Sequence, residues 1–476
     1  MDHDARCGID RTLVAALAEE RTGWQHKAVP PALHGLTVTE VRERRPRLAE
    51  LGTPVLTLSR PALTHNVRVM ADWCAARGLD LAPHGKTTMA PQLWTEQIDA
   101  GAWAITVANA SQLGVARAFG VTRVMVANSL VSPHALRWVA DELAAHDDLR
   151  VLVWADSTDT VRLMDDVLAA HRDDVGPRPP LDVLVERGGA GGRTGARTGA
   201  TALDVARAVS ASPHLRLAGV AGYEGALAHD SDERSRGVVR AWLRDLVDLH
   251  VHITDDGLYD VAVPIVSAGG SAYFDVVAEV LGPLTGPDVR VVLRSGAYQV
   301  HDDGFYRHVS PLGDEPRTDG PALRPAMHGW VRVSSRPEAG LALVDGGKRD
   351  LPFDEGLPEV QRRRPRTSGE PLATVTGATV TALNDQHGFV RLAPAGSDLG
   401  PAAHLGPAPH LGPATSDDPA TGTRPDTAAA DLRIGDVLRL GLSHPCTAMD
   451  KWTMVPVIDD ADAADPVVVD LVRTFF

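Results

Sequence analysis

Residues 55–84, VLTLSRPALTHNVRVMADWCAARGLDLAPH, read as one repeat of a parallel α/β fold. Val55 to Ser59 is a short apolar run, Pro61 to Arg77 carries Leu63, Val67, Met70 and Cys74 at helical spacing, and Leu79 to His84 is apolar again. Strand, helix and strand in about thirty residues is the length of a βαβ crossover, which sets two strands parallel in one sheet. The alternation continues to Tyr298, with strand candidates Ile105 to Ala108, Arg123 to Ala127, Val151 to Ala155, Leu181 to Glu186, Leu215 to Tyr223, Val261 to Ser267 and Val289 to Leu293. Helical stretches such as Ser231 to His250 separate them. Repeated βα units predict an α/β fold of the (β/α)8 TIM barrel type. Nine candidates compete for eight positions, so one lies outside the barrel, and the terminal ones are the suspects.

After Tyr298 the pattern changes to strands without long helices: His328 to Ser334, Leu341 to Val344, Ala373 to Leu383, Gly388 to Ala393, Asp436 to Leu442 and Thr453 to Ile458. The expected division is a lead segment 1–52 joining the β domain, a barrel 53–300, and a mostly β C-terminal domain 301–476. Arg11 to Lys27 reads as a helix. Within the β domain, 394–431 is a low-complexity loop in which His-Leu-Gly-Pro-Ala recurs, with too little apolar surface to offset ordering. His404 and His410 in it are expected in solvent rather than as ligands.

The chain has 476 residues, 44% hydrophobic and 23% charged, which is ordinary globular usage with room for two or three domains. Lys+Arg of 47 against Asp+Glu of 62 gives a formal charge of -15, which repels phosphate backbones and anionic membrane surfaces, and only 4% of residues are aromatic. Nucleic acid and membrane are therefore excluded as expected partners. The three scattered cysteines, Cys7, Cys74 and Cys446, fit a reducing cytoplasmic setting better than a disulfide framework, and the N-terminus lacks a signal-peptide pattern.

Three motifs carry chemistry. In Ala82-Pro83-His84-Gly85-Lys86-Thr87 a strand ends, a glycine turns the chain and Lys86 is presented at the C-terminal face of the barrel, where catalytic groups of this fold sit; alone, it also fits a surface loop. Ser267-Ala268-Gly269-Gly270-Ser271 follows a late strand and precedes a helix, so its free N–H groups and hydroxyl suit a phosphate, although a plain tight turn reads the same way. The two together point to pyridoxal phosphate, held covalently at one end and by its phosphate at the other. In Ser443-His444-Pro445-Cys446-Thr447, extended backbone would aim His444 and Cys446 the same way, an imidazole and thiolate pair suited to zinc, though most His-x-Cys triplets are accidental.

With these elements in this order, the sequence resembles the D-serine dehydratase and D-threonine aldolase group of pyridoxal-phosphate enzymes, which share the alanine racemase fold. The resemblance spans about Thr53 to Trp452. It is carried by Pro83–Thr87, Gly222–Gly225, Ser267–Ser271, Arg294–Tyr298, Val344–Lys348, Asn384–Gly388 and Ser443–Thr447. It implies that Lys86 bonds the cofactor and acts as catalytic base, that Gly269, Gly270 and Ser271 cradle its phosphate, and that Arg193 and Tyr223 lie beside it. It also implies that Tyr298 faces substrate and that His444 and Cys446 bind Zn2+. Arg187-Gly188-Gly189 departs from relatives that carry an acidic residue there, Ser295 from those with Pro, and 394–431 has no counterpart.

The implied partner is a small-molecule D-amino acid, and by analogy the chain forms a homodimer. A metal near the β-carbon suits loss of a β-hydroxyl or retro-aldol cleavage. Aldolases of the group tend to carry Asp in place of Cys446, so the sequence favours a zinc-dependent dehydratase of a D-serine-like 3-hydroxy acid, releasing a 2-oxo acid and ammonia. Retro-aldol cleavage to glycine and an aldehyde is the alternative. So is a non-catalytic pyridoxal-phosphate carrier, although carriers of this fold lack the β domain. Racemase action would need a second acid/base on the opposite face, and no residue stands out for it.

Overall fold

The computed structural model describes residues 6–364, 372–393 and 432–476; the expected low-complexity loop 394–431, with His404 and His410, lies outside them. Strand β1 is Val55–Ser59. Eight parallel strands follow: β2 Asp80–Leu81, β3 Ile105–Val107, β4 Arg123–Ser129, β5 Arg150–Ala155, β6 Leu181–Glu186, β7 Leu215–Ala221, β8 Ile265–Ala268 and β9 Arg290–Leu293. Their order is β2-β9-β8-β7-β6-β5-β4-β3. Bonds from Trp103 N–H to Leu81 O (2.7 Å) and Thr106 N–H to Pro83 O (2.8 Å) close the ring between β2 and β3. These strands are apolar on both faces because both faces are covered. Leu152 and Trp154 of β5 fill the lumen with Met125, Leu184, Ile265 and Val292, while Val151 and Val153 pack against the outer helices.

The second sheet is mostly antiparallel. It comprises β10 Met327–Glu338, β11 Leu341–Val344, β12 Glu359–Arg364, β13 Ala373–Thr374, β14 Ala378–Leu383, β15 Gly388–Leu392, β16 Val437–Gly441, β17 Met454–Ile458 and β18 Val468–Arg473, with β1 among them. A curled parallel barrel followed by an antiparallel β domain is the alanine racemase architecture.

β1 corrects the expected barrel range. The range 53–300 opens with this strand, yet Val55 pairs with Trp330 of β10 and Leu58 with Val457 of β17, so the ninth candidate belongs to the β domain. Its five residues are all buried, as a barrel strand's would be, so apolarity alone could not assign it to a sheet. The lead segment packs against the same domain without adding a strand to its sheet, with Leu48 N–H bonded to Pro466 O at 2.7 Å. The helix expected over Arg11 to Lys27 stops at Ala16, followed by one tight turn to Glu19, because Thr22 turns away to bond Leu33 O and Leu36 O. Among the described residues no helix is long and apolar enough to cross a membrane.

Candidate active site

After β2 the chain runs extended through Pro83 and His84 into the turn Gly85–Thr87. A Cβ at Gly85 would lie 2.7 Å from Ile105 Cγ2 and 2.9 Å from Trp94 Nε1, so only glycine lets this backbone press against its neighbours and present Lys86 at the barrel mouth. The His84 ring is held neutral, its pKa driven well below the usual value by burial and by the cationic Lys86, Arg294 and Arg193. Its buried Nδ1 has no partner among the described residues.

The β domain meets this turn through the short helix Pro445–Met449. The Cys446 thiol reaches Thr87 Oγ1 at 3.5 Å. Burial opposes its thiolate, but His444, Thr87 and Lys86 outweigh burial, and its pKa falls below the ordinary thiol value. Burial instead raises Cys7 to about 11 and Cys74 to about 12. His444 and Cys446 do come together, but not by the expected extended backbone. His444 has φ 54°, in the left-handed region, and Pro445 starts a helix. The Asp302 carboxylate holds the strained residue by its N–H at 2.8 Å and accepts three further backbone N–H groups, from Gly304, Tyr306 and Arg307. Burial pushes Asp302 up to about 7 despite them. Asp354 takes His444 Nδ1 at 2.5 Å and Thr447 Oγ1 at 2.6 Å. Burial disfavours the imidazolium, but Asp354 and Cys446 prevail and carry its pKa to about 10.

Across the mouth, Arg193 lies over the Tyr223 ring at 4.8 Å. Burial and the Glu224 charge raise the Tyr223 hydroxyl to about 12. Gly269, at φ 100°, and Gly270 turn the chain beneath this ring, where a Cβ on Gly270 would stand 2.8 Å from Tyr223 Cε2. The loop after β9 joins them: Ser295 Oγ donates to Gly270 O at 3.0 Å and Ala297 N–H to Ser271 Oγ at 3.1 Å. Tyr298 is not brought to the site. It is 2% exposed within the hydrophobic core, its hydroxyl bonded to Gln97 and raised by burial.

Sequence reasoning missed Asp302, Asp354, Glu224 and Arg294 as site residues. Glu224 accepts from Gly269 N–H at 3.0 Å and Gly270 N–H at 2.6 Å. Arg294, 1% exposed, donates to Ser267 Oγ at 2.5 Å and to Gly222 O, and stacks on Trp154. Glu224 and Arg294 stand inside resembling stretches, whereas Asp354 had no local signal.

The arrangement fits a phosphorylated pyridine aldehyde: a lysine at one side, a glycine turn that a Cβ would fill at the other, and a buried, unpartnered imidazole nitrogen on His84, two residues before the lysine. For a metal, His444 and Cys446 could supply two ligands. No group of three or more His, Cys, Asp or Glu side chains able to hold an ion exists among the described residues. Asp354 on Nδ1 leaves Nε2 for an ion, the usual way a carboxylate orients a histidine ligand.

Residues 326–458 match a protein family described as a putative serine dehydratase domain. Over 359 residues the chain is 27% identical to a D-threonine aldolase of Arthrobacter sp, covering 74% of this chain and 84% of that protein. It is 26% identical over 337 residues to a 3-hydroxy-D-aspartate aldolase of Paracoccus denitrificans (strain Pd 1222), covering 70% and 79%. Among solved structures it is similar to a D-threonine aldolase from Filomicrobium marinum, with TM-score 0.68, 23% identity and coverage of 90% and 97%. A D-threo-3-hydroxyaspartate dehydratase from Delftia sp. HT23 gives TM-score 0.60, 19% identity and coverage of 89% and 98%. The alanine racemase of Clostridium difficile 630 gives 0.54, 12%, 89% and 99%, a likeness of fold.

Proposed function

We propose that this chain, a pyridoxal-phosphate-dependent lyase of the D-threonine aldolase and D-serine dehydratase-like group, cleaves the Cα–Cβ bond of a D-3-hydroxy amino acid, giving glycine and an aldehyde. The observation that carries the choice of reaction is that the three relatives aligned over most of their own length are, by name, aldolases of such acids. This reverses the order expected from Cys446 alone.

The cofactor, when bound, supplies the electron sink that weakens the bonds at the substrate α-carbon. We assign Lys86 to its attachment and to proton transfer at that carbon: as the Cα–Cβ bond breaks, the β-hydroxyl gives up its proton to solvent and its oxygen becomes the aldehyde carbonyl, while Lys86 Nζ would deliver one proton to the α-carbon, so the cleavage is proton-neutral. Tyr223 and Arg193 flank the ring, and the loop at Gly269, Gly270 and Ser271 receives the phosphate. His444 Nε2 and Cys446 Sγ would hold a divalent ion, for which we propose zinc, supplying Lewis acidity at the β-hydroxyl. The packing of helix Pro445–Met449 on turn Gly85–Thr87, with Cys446 Sγ on Thr87 Oγ1, the neighbour of Lys86, supports a reading in which the α- and β-carbons of one substrate would each have their own group. A homodimer belongs to the same proposal by analogy.

Elimination of the β-hydroxyl is the second reading, favoured by the soft thiol of Cys446 beside His444. Protein supplied with pyridoxal phosphate and zinc is incubated with D-threonine, D-threo-3-hydroxyaspartate and D-serine, and glycine, aldehyde, 2-oxo acid and ammonia are quantified. Glycine and aldehyde in equal amounts are expected. Oxo acid and ammonia without glycine would establish the second reading, and no turnover of any of the three would overturn both.

A further inference from the structure

The glycines of the phosphate loop are already engaged. Glu224, fully buried, bridges Gly269 N–H and Gly270 N–H with its two carboxylate oxygens. Those are the first two donors that a Gly-Gly-Ser turn would be expected to offer an anion. The next two N–H groups, of Ser271 and Ala272, donate to nothing within the described residues. Ser271 Oγ accepts from Ala297 N–H, which leaves its own proton to donate.

A buried carboxylate needs compensation. Arg294 supplies the facing charge: burial lowers its pKa to about 10, and Glu224 is the first of the anions that oppose the fall. The guanidinium bonds Ser267 Oγ on β8 and Gly222 O after β7, and Arg294 N–H bonds Gly269 O at 3.1 Å. Glu224 and Arg294 therefore tie together the ends of β7, β8 and β9, from which the loop rises.

We propose that Glu224 is a positioning residue for the cofactor's phosphate: it locks the Gly269 and Gly270 peptides so that Ser271 and Ala272, not the glycines, present the free donors. The inference rests on the reading of this mouth as a pyridoxal-phosphate site. It assigns Glu224 no contact with substrate and no proton to move. Because the carboxylate holds the backbone that meets the phosphate, its loss should affect a ligand with a phosphate far more than the same ligand without one.

The test compares pyridoxal phosphate with pyridoxal, titrated against ligand-free protein and followed by the visible absorbance that each gains at Lys86. Glu224→Gln turns one acceptor into an N–H2 group facing a backbone N–H. It should weaken pyridoxal phosphate about tenfold to a hundredfold, the scale of one lost charge-assisted hydrogen bond, and pyridoxal less than about threefold. Glu224→Asp keeps the charge beside Arg294 and is one methylene too short to bridge both N–H groups, so it should reproduce the selective loss even if the Gln variant misfolds. Equal weakening of both ligands would make Glu224 merely structural and overturn the proposal. So would tighter binding of pyridoxal phosphate, which would make the carboxylate a competitor for the cradle. Wild-type protein that colours with neither ligand would overturn the cofactor reading itself, and this inference with it.

Discussion

The two ends of the barrel use similar residues to opposite purposes. At the floor, where the strands begin, Trp103 lies under Arg123, Arg150 and Arg290 at 4.7, 6.0 and 5.4 Å. The acids there bind arginines: Asp182 takes Arg150 and Arg216, and Asp80 takes Arg290. At the mouth, Trp154 again lies under an arginine, Arg294, but two of the acids grip backbone, Glu224 holding two peptide N–H groups and Asp302 four, while Asp354 holds the His444 and Thr447 side chains. Pairs between side chains cross-link strands whose backbone is already fixed by the sheet. Acids bound to backbone fix loops that no sheet holds, and a ligand-binding face needs such loops.

The sharpest break between the two ends is Lys86→Ala. It should abolish cofactor colour and lower lyase activity by about a thousandfold or more, with melting temperature little changed, as read by visible absorbance, product assay and calorimetry. Borohydride reduction of the wild type should fix the cofactor on Lys86, and label on another lysine would refute the assignment. Asp354→Ala should weaken metal binding about tenfold to a hundredfold by releasing His444, while pyridoxal-phosphate affinity stays constant, as measured by metal titration. At the floor the effect should invert. Asp182→Ala leaves Arg150 without its buried partner and should cost about 3 kcal/mol in denaturant unfolding, with turnover per folded molecule unchanged.

Asp303 sharpens the comparison through pH. Burial pushes its carboxyl up to about 6, above the unfolded value of 3.8, so the folded chain holds a proton that the unfolded chain releases. Its stabilising contribution is present at pH 4 and below and is lost as pH rises through 6. Asp303→Asn should therefore flatten the fall in melting temperature between about pH 4 and 6 relative to the wild type. The smallest effect belongs to Tyr298→Phe, which removes one hydroxyl from the core and should shift stability by about 1 kcal/mol with unchanged KM. A large rise in KM would return Tyr298 to the substrate side.

The parallel sheet was legible because a strand covered on both faces is largely apolar: Val151 to Ala155 of β5 read that way throughout, while β6 and β7 carry charges only at Asp182, Glu186 and Arg216, where partners meet them. The same rule hid the identity of β1. β12, with sequence EVQRRR, has one residue exposed and five half-buried, and escaped a search for apolar runs. At the site, Lys86, His444 and Cys446 were legible because their motifs are local. Glu224 and Asp354 were not singled out, since the groups they hold lie 45 and 90 residues or more away in sequence, and of the four groups on Asp302 the one that ties it to the site, His444 N–H, is 142 residues away. The His444 and Cys446 pair was found through a mistaken backbone, since a left-handed residue before Pro445 leaves no periodic trace.

The placement of β1 has a consequence for how this chain is made and cut. The strand lies between β10 and β17, in the interior of a sheet whose other members arrive more than 260 residues later. During synthesis the barrel strands can pair while β1 still waits, an apolar segment with both hydrogen-bonding edges open, for β10 and β17 to emerge. A fragment beginning at residue 301 would hold β10 and β17 with nothing between them. The two halves of this protein therefore cannot be exchanged as separate modules at that boundary unless residues 55–59 travel with the C-terminal half, for instance by circular permutation.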